Sequence, residues 1–442
     1  MKKKLIYIGC MVLFLNSCDV INQEPLDSVS NEQLFVRPSD ADAAIIGVYR
    51  QLADLGLNYV VFPELPTKNT LGTALNRQFE QMNNLLFLDD NPWYETLWNQ
   101  HFLLLNRANV VIERVPQIPG LAEQKRNEVV AEARFLRAFT YFSLVRYFGQ
   151  VPLITTPTTS PDIPSLQVSR NSVAEVYTQI FADLDFAKNN LPTAFGSNLA
   201  TKARATRDAA FALGTRIYLF RKEYAQVVSD ADRVIATKGS ELTIPYVSLY
   251  ENKNSEESIM EINYDPQLQN AIATNFLPGT LGGNWVIEVN PDILNTYEEG
   301  DTRKEATFGE ASGRYYMKKY FRGNTRDDNV ILFRLAEVLL SKAEAMAELE
   351  YPNAGAVELL NEIRSRAGLA PIMPATIHDF RTALYKERRL ELSYEGHEWF
   401  DLVRTDRLAS VMGITDPNKS ILPVPAGEIL RNPNLAPQNP GY

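Results

Sequence analysis

Residues 335–368 read "LAEVLLSKAEAMAELEYPNAGAVELLNEIRSRAG". Ala336, Leu339, Leu340 and Ala343 recur at three and four, one apolar stripe along a helix. Asn353, after Pro352, is a good cap for a second helix. Ala356, Leu360 and Ile363 form its stripe, and Gly368 is a good stop. Small residues at these positions let paired helices pack closely, as in a tetratricopeptide-type hairpin. The pattern occurs once more upstream. Ala210, Leu213, Gly214 and Ile217 are followed by Val227, Ala231 and Val234 in "EYAQVVSDADRVIAT". The two units begin too far apart for a tandem array.

Working outward, "NPWYETLWNQHFLLLNRANVVIERV" (91–115) carries Trp98, Phe102, Leu105, Asn109 and Ile112 at helical spacing. In "EVVAEARFLRAFTYFSLVRYFG" (128–149) the polar residues Arg134, Arg137, Thr140, Ser143 and Arg146 fall every third position. They spiral and leave no broad wet face, so this helix is expected to be largely buried, ending at Gly149. Residues 56–90 and 238–329 lack clear periodicity and are rich in turn formers. The expected fold is mostly α, a tetratricopeptide-like helical hairpin scaffold with a long irregular, partly β insertion.

The chain has 442 residues, 45% hydrophobic and 22% charged, with a formal charge of −10. That is ample material for a core, and the acidic balance argues against a nucleic-acid partner. Both cysteines, Cys10 and Cys18, lie at the N-terminus, so no disulfide or thiolate metal site is expected in the body of the chain. Lys2, Lys3 and Lys4 precede an apolar run from Leu5 to Leu15, too short to span a bilayer but suited to a signal peptide. It ends Leu15-Asn16-Ser17-Cys18, which resembles a bacterial lipobox. Residues 1–17 are therefore expected to be a signal peptide, with Cys18 lipidated and 18–38 a tether. Residues 39–237, 238–329 and 330–442 are expected to be an N-terminal helical region, the irregular insertion, and a C-terminal helical region with an extended tail.

"LELSYEGHEWFDLVR" (390–404) sets Glu391, Glu395, Glu398 and Asp401 beside His397, the materials of acid–base catalysis. Arg388, Arg389 and Arg404 stand among these acids, so the favoured reading is paired charges tying the last helices to the core. The stretch lacks the second His of H-E-x-x-H, and no P-loop, dinucleotide fingerprint, G-x-S-x-G or EF-hand is present. No cofactor or metal is expected.

The lipobox, "LLLNRANVVIE", "AEARFLRAFTYFSLVRYFGQVPLI", "DNVILFRLAEVLLSKAEAMAE", "YKERRLELSYEGHEWFDLVRT" and the ending "ILPVPAGEILRNPNLAPQNPGY" occur in an order that resembles the SusD/RagB family over nearly the whole chain. The resemblance implies a non-enzymatic lipoprotein of the outer membrane. It would face outward, capture glycans or other nutrients, and pass them to a TonB-dependent transporter. A surface glycan hydrolase, or a binder of peptides or another nutrient, is the alternative. Many relatives carry Arg where this chain has Glu398.

Sugar rings stack their C–H faces on aromatic residues and need amide or guanidinium partners for their hydroxyls. Aromatics off the helical pattern are therefore the candidates: Tyr59 and Phe62 in the first irregular region, Tyr264 and Trp285 in the second. Asn69, Arg77 and Asn284 are the polar candidates beside them. Trp285, preceded by Gly282, Gly283 and Asn284, is the strongest. Ligand is expected to lie where residues 56–90 and 264–290 meet on one side of the helical frame.

Overall fold

The computed structural model describes residues 34–158, 162 and 166–442. The expected signal peptide, Cys18 and nearly all of the tether lie outside the described residues. Among the described residues, nine helices of thirteen or more residues make the frame: α1 (Pro38–Asp54), α2 (Pro92–Arg114), α3 (Glu123–Phe148), α4 (Val173–Asn190), α5 (Arg207–Phe220), α6 (Tyr224–Lys238), α7 (Leu335–Leu349), α8 (Ala354–Arg366) and α9 (Ile377–Leu392). Successive helices from α1 to α8 pack side by side, and α9 returns against α7 and α8. Helix α3, flanked by α2 and α4, is buried at every position from Val129 to Phe148 except Arg134. That is the burial its spiralling polar residues imply.

The two hairpins are α5–α6 and α7–α8. The sequence separates them, but α6 packs directly on α7, so they stand consecutively in one array. The insertion between them leaves and rejoins the frame at neighbouring helices. Sequence spacing could not reveal this, because a stacked array needs only spatial contact between repeats.

The described residues also form six short strands in and around the insertion: β1 (Thr70–Gly72), β2 (Ser258–Ile262), β3 (Ile287–Val289), β4 (Phe308–Ala311), β5 (Arg314–Met317) and β6 (Val330–Arg334). They pair antiparallel as β1–β3, β2–β6 and β4–β5.

Buried charges fasten the insertion, and the frame strand β6 that follows it, to the last helices. Arg334, at the end of β6, donates to Glu395 at 2.6 and 3.0 Å, to Glu391 at 2.5 Å and to Glu257 at 2.9 Å. Arg303 pairs with Asp301 at 2.7 Å and Glu387 at 2.9 Å, and Lys319 with Glu395 at 2.6 Å. Arg366 joins Glu391 and Glu257. Arg404 chelates Glu344 and Asp401, and Arg388 pairs with Asp401 at 3.1 Å. The acids of 390–404 are thus structural: Asp401 pairs with Arg404 one turn on and with Arg388, whereas Glu391 and Glu395 draw their partners from distant segments. Against the cost of burial, the arginines around Glu391, and Arg334 with Lys319 around Glu395, hold both carboxyls below the ordinary range.

Candidate functional site

Trp285 stands on a loop built by backbone interlock. Its own φ is +50°, and its N–H donates to the Leu277 carbonyl at 3.0 Å. The Asn284 N–H donates to the Thr274 carbonyl at 2.7 Å. A Cβ on Gly283 would lie 1.9 Å from that same Leu277 oxygen, so only glycine passes there. The fold presents the indole half-buried. The Arg314 guanidinium lies 4.1 Å from its ring centre, and Tyr316 meets it edge-on at 6.4 Å. Arg314 is in turn paired with Glu288 of β3. The indole N–H is buried without a hydrogen-bond partner among the described residues.

The two irregular regions do meet here. Strand β1 pairs with β3, and Thr73 donates from N–H and Oγ1 to the Val286 carbonyl at 3.3 and 2.8 Å. Arg77, first residue of the helix Arg77–Asn83, and Asn284 are both exposed.

The other four candidates are placed inside the protein. Tyr59 belongs to the short helix Gly56–Val61, donates to the Leu332 carbonyl at 3.2 Å and accepts from Arg216 at 2.9 Å. Phe62 is enclosed by Trp93, Tyr94 and Tyr147. Tyr264 donates to the Ala53 carbonyl at 2.5 Å and fills the space over Gly56, where a Cβ would meet its hydroxyl at 2.0 Å. Asn69 donates to Glu64 at 2.8 Å and accepts from Arg389 at 2.9 Å. Lack of helical periodicity does not imply exposure, because these polar groups find partners across the fold. Of the seven ligand-site candidates, Trp285, Asn284 and Arg77 remain accessible. Arg314 and Tyr316 were missed, since nothing in "GRYYM" marks it as facing Trp285.

Glu64 behind this loop is fully enclosed, and burial pushes its carboxyl up to about 8, against the pull of Asn69 and the Tyr394 N–H. A carboxyl raised above its unfolded value binds a proton more tightly when folded, so its contribution to stability falls as pH rises from about 4.5 to 8. One such proton is worth at most about 1.4 kcal/mol per pH unit. Denaturant titrations of the wild type and Glu64→Gln should differ in slope across that window. Identical slopes would show that Glu64 is ionised throughout.

Residues 246–420 match the sequence model of the SusD family, and residues 63–219 match a SusD-like model described as starch-binding and associating with the outer membrane. The chain belongs to the SusD family. This SusD-family protein is similar over its whole length to SusD-like protein P2 of Formosa agariphila, 28% identical with 100% of each chain covered. Among solved structures, a laminarin-binding SusD-like protein is 27% identical and superposes with a TM-score of 0.80 over 92% of this chain and 100% of that one. Surface glycan-binding protein A of Bacteroides fluxus is 25% identical, with a TM-score of 0.81 and the same coverage. The mostly helical architecture is that of these SusD-like neighbours.

Proposed function

We propose that this protein is a non-catalytic, surface-exposed glycan-binding lipoprotein that holds oligosaccharide for a TonB-dependent outer-membrane transporter. The observation that carries the reading is the half-buried Trp285, fixed by a glycine-built loop beside the exposed Asn284, with Arg77 exposed on the helix that follows β1. Indole offers a stacking face for sugar C–H groups, while amide and guanidinium groups suit hydroxyls. The laminarin-binding relative and the glycan-binding protein of B. fluxus support a sugar over a peptide. The lipobox at Cys18 supplies the anchor. A binder with no pore gains by sitting over one, where tethering raises the local ligand concentration.

Losing a stacking platform costs about 0.5–1.5 kcal/mol beyond area burial. Trp285→Ala should therefore weaken glycan binding several-fold in calorimetry, with the melting temperature nearly unchanged. Equal affinity in both folded proteins would remove Trp285 from the site. Cys18→Ala should abolish labelled-palmitate incorporation and release the protein from membranes, and retained label would refute the anchor. The hydrolase alternative requires two free carboxylates flanking the sugar. Release of new reducing ends by the purified protein would establish it.

A further inference from the structure

Beyond Tyr316 the insertion forms an open cavity of about 610 Å³, lined in part by Leu277, Thr280 and Leu281 of the segment that leads into Trp285. It is the size of a small-molecule site. Tyr316 therefore belongs to two surfaces, meeting the Trp285 ring at 6.4 Å and lining this cavity. The lining also carries Phe321, 41% exposed, and Leu281, 43% exposed.

An exposed phenylalanine usually wanders among rotamers, but Phe321 is held. The Arg322 guanidinium lies 4.5 Å from its ring centre and is itself fixed, donating to Asp328 at 2.8 Å and to the Glu251 carbonyl at 2.8 Å. The loops behind it are locked by glycine contacts. A Cβ on Gly323 would lie 2.3 Å from the Leu281 carbonyl oxygen, and one on Gly282 would lie 2.5 Å from the Asn324 side chain. Such preorganisation spares a ligand the ordering cost of its own binding surface.

The charges of the lining nearly cancel. Arg322 is matched by Asp328. Lys318 donates to the Glu305 carbonyl at 2.7 Å, and Glu251 stands in the same lining as its opposite charge. Hydroxyl and amide groups come from Thr280, Asn324 and Thr325. Two aromatic walls, a neutral balance and hydroxyl-matching groups suit an uncharged sugar ring better than a uronate, a sulfated sugar or a charged peptide.

We propose that this cavity is a second subsite, with Tyr316 as the shared wall and Phe321 as the outer platform, taking a further uncharged ring of the oligosaccharide that stacks on Trp285. The inference rests on the glycan-binding reading above. It adds that the ligand is a neutral oligosaccharide long enough to reach both platforms.

The test is calorimetry with full-length protein against neutral oligosaccharides of several linkages, from disaccharide to hexasaccharide, and against an oligouronate of matched length. Wild type, Phe321→Ala and Trp285→Ala are compared, each checked for an unchanged melting temperature. Wild-type affinity should rise with chain length. Phe321→Ala should erase the gain from the longer chains, several-fold for the hexasaccharide, while leaving the shortest binder unaffected. Trp285→Ala should weaken every length. Unchanged hexasaccharide affinity in Phe321→Ala, or a preference for the oligouronate, would overturn the second subsite and leave the glycan-binding reading standing. Binding to no saccharide of either kind would overturn that reading itself.

Discussion

Arg334→Met should destabilise the protein by about 3–5 kcal/mol, the usual cost of removing one partner from a buried ion pair. The side chain is 1% exposed and is the common cation of Glu257, Glu391 and Glu395. Its loss leaves Glu395 with the Tyr250 hydroxyl and, as its remaining cation, Lys319, whose ammonium burial already pulls down to about 8. Arg146→Met is the control. Arg146 is also buried, but it lies between the rings of Phe142 and Phe400 at 4.2 and 3.9 Å, and no described carboxylate pairs with it. Replacing an uncompensated buried charge by an apolar chain of similar length should be neutral or stabilising. The pH dependence sharpens the contrast. In the wild type the lowered Glu391 and Glu395 carboxyls give stability that is present above their unfolded values near 4.5 and lost on acidification. Without Arg334 that support shrinks, so the deficit should narrow as the pH falls below about 4.5. Equal melting temperatures for Arg334→Met and Arg146→Met at neutral pH would refute this account.

Gly283→Ala should abolish binding more completely than Trp285→Ala, although it removes no contacting side chain. Its Cβ would stand 1.9 Å from the Leu277 carbonyl oxygen and 2.4 Å from the carbonyl carbon, both backbone atoms that cannot swing aside. The loop must move, and the Trp285 N–H bond to that oxygen goes with it. Strain of this kind costs about 1–3 kcal/mol. The cost should fall locally, raising amide exchange over residues 277–286 while the helices stay protected. A variant with wild-type affinity and exchange would show that the loop does not position the indole.

The helical frame was legible because a buried stripe repeats every three to four residues whatever its neighbours. Ala336, Leu339, Leu340 and Ala343 needed no tertiary knowledge. The contact of α6 with α7 was not legible, since an insertion hides which repeats are neighbours. The acids of 390–404 could be seen to want cations, and Arg388 and Arg404 were in view. Arg303 and Lys319 carry no local mark of the role the fold gives them. The site divides in the same way. Trp285 could be singled out as an aromatic in an irregular stretch, but the close backbone contacts that require Gly282 and Gly283 beside it could not. Tyr59, Phe62, Asn69 and Tyr264 share the irregular setting but point inward, and only tertiary partners decide that.

The charge seam between insertion and frame has one more property. Among its buried charges, the insertion side has Glu257 and Asp301 with Arg303 and Lys319, two of each sign, while Glu298, which also meets Arg364, is exposed. On the frame side stand Glu387, Glu391 and Glu395 with Arg334, Arg364 and Arg366, three of each sign. Each side is neutral by itself, and the insertion departs and returns at adjacent helices. A recognition cassette with those four groups at its base could thus be exchanged for another without leaving the frame a net buried charge. Diversification of ligand preference would then proceed by swapping cassettes on a constant chassis.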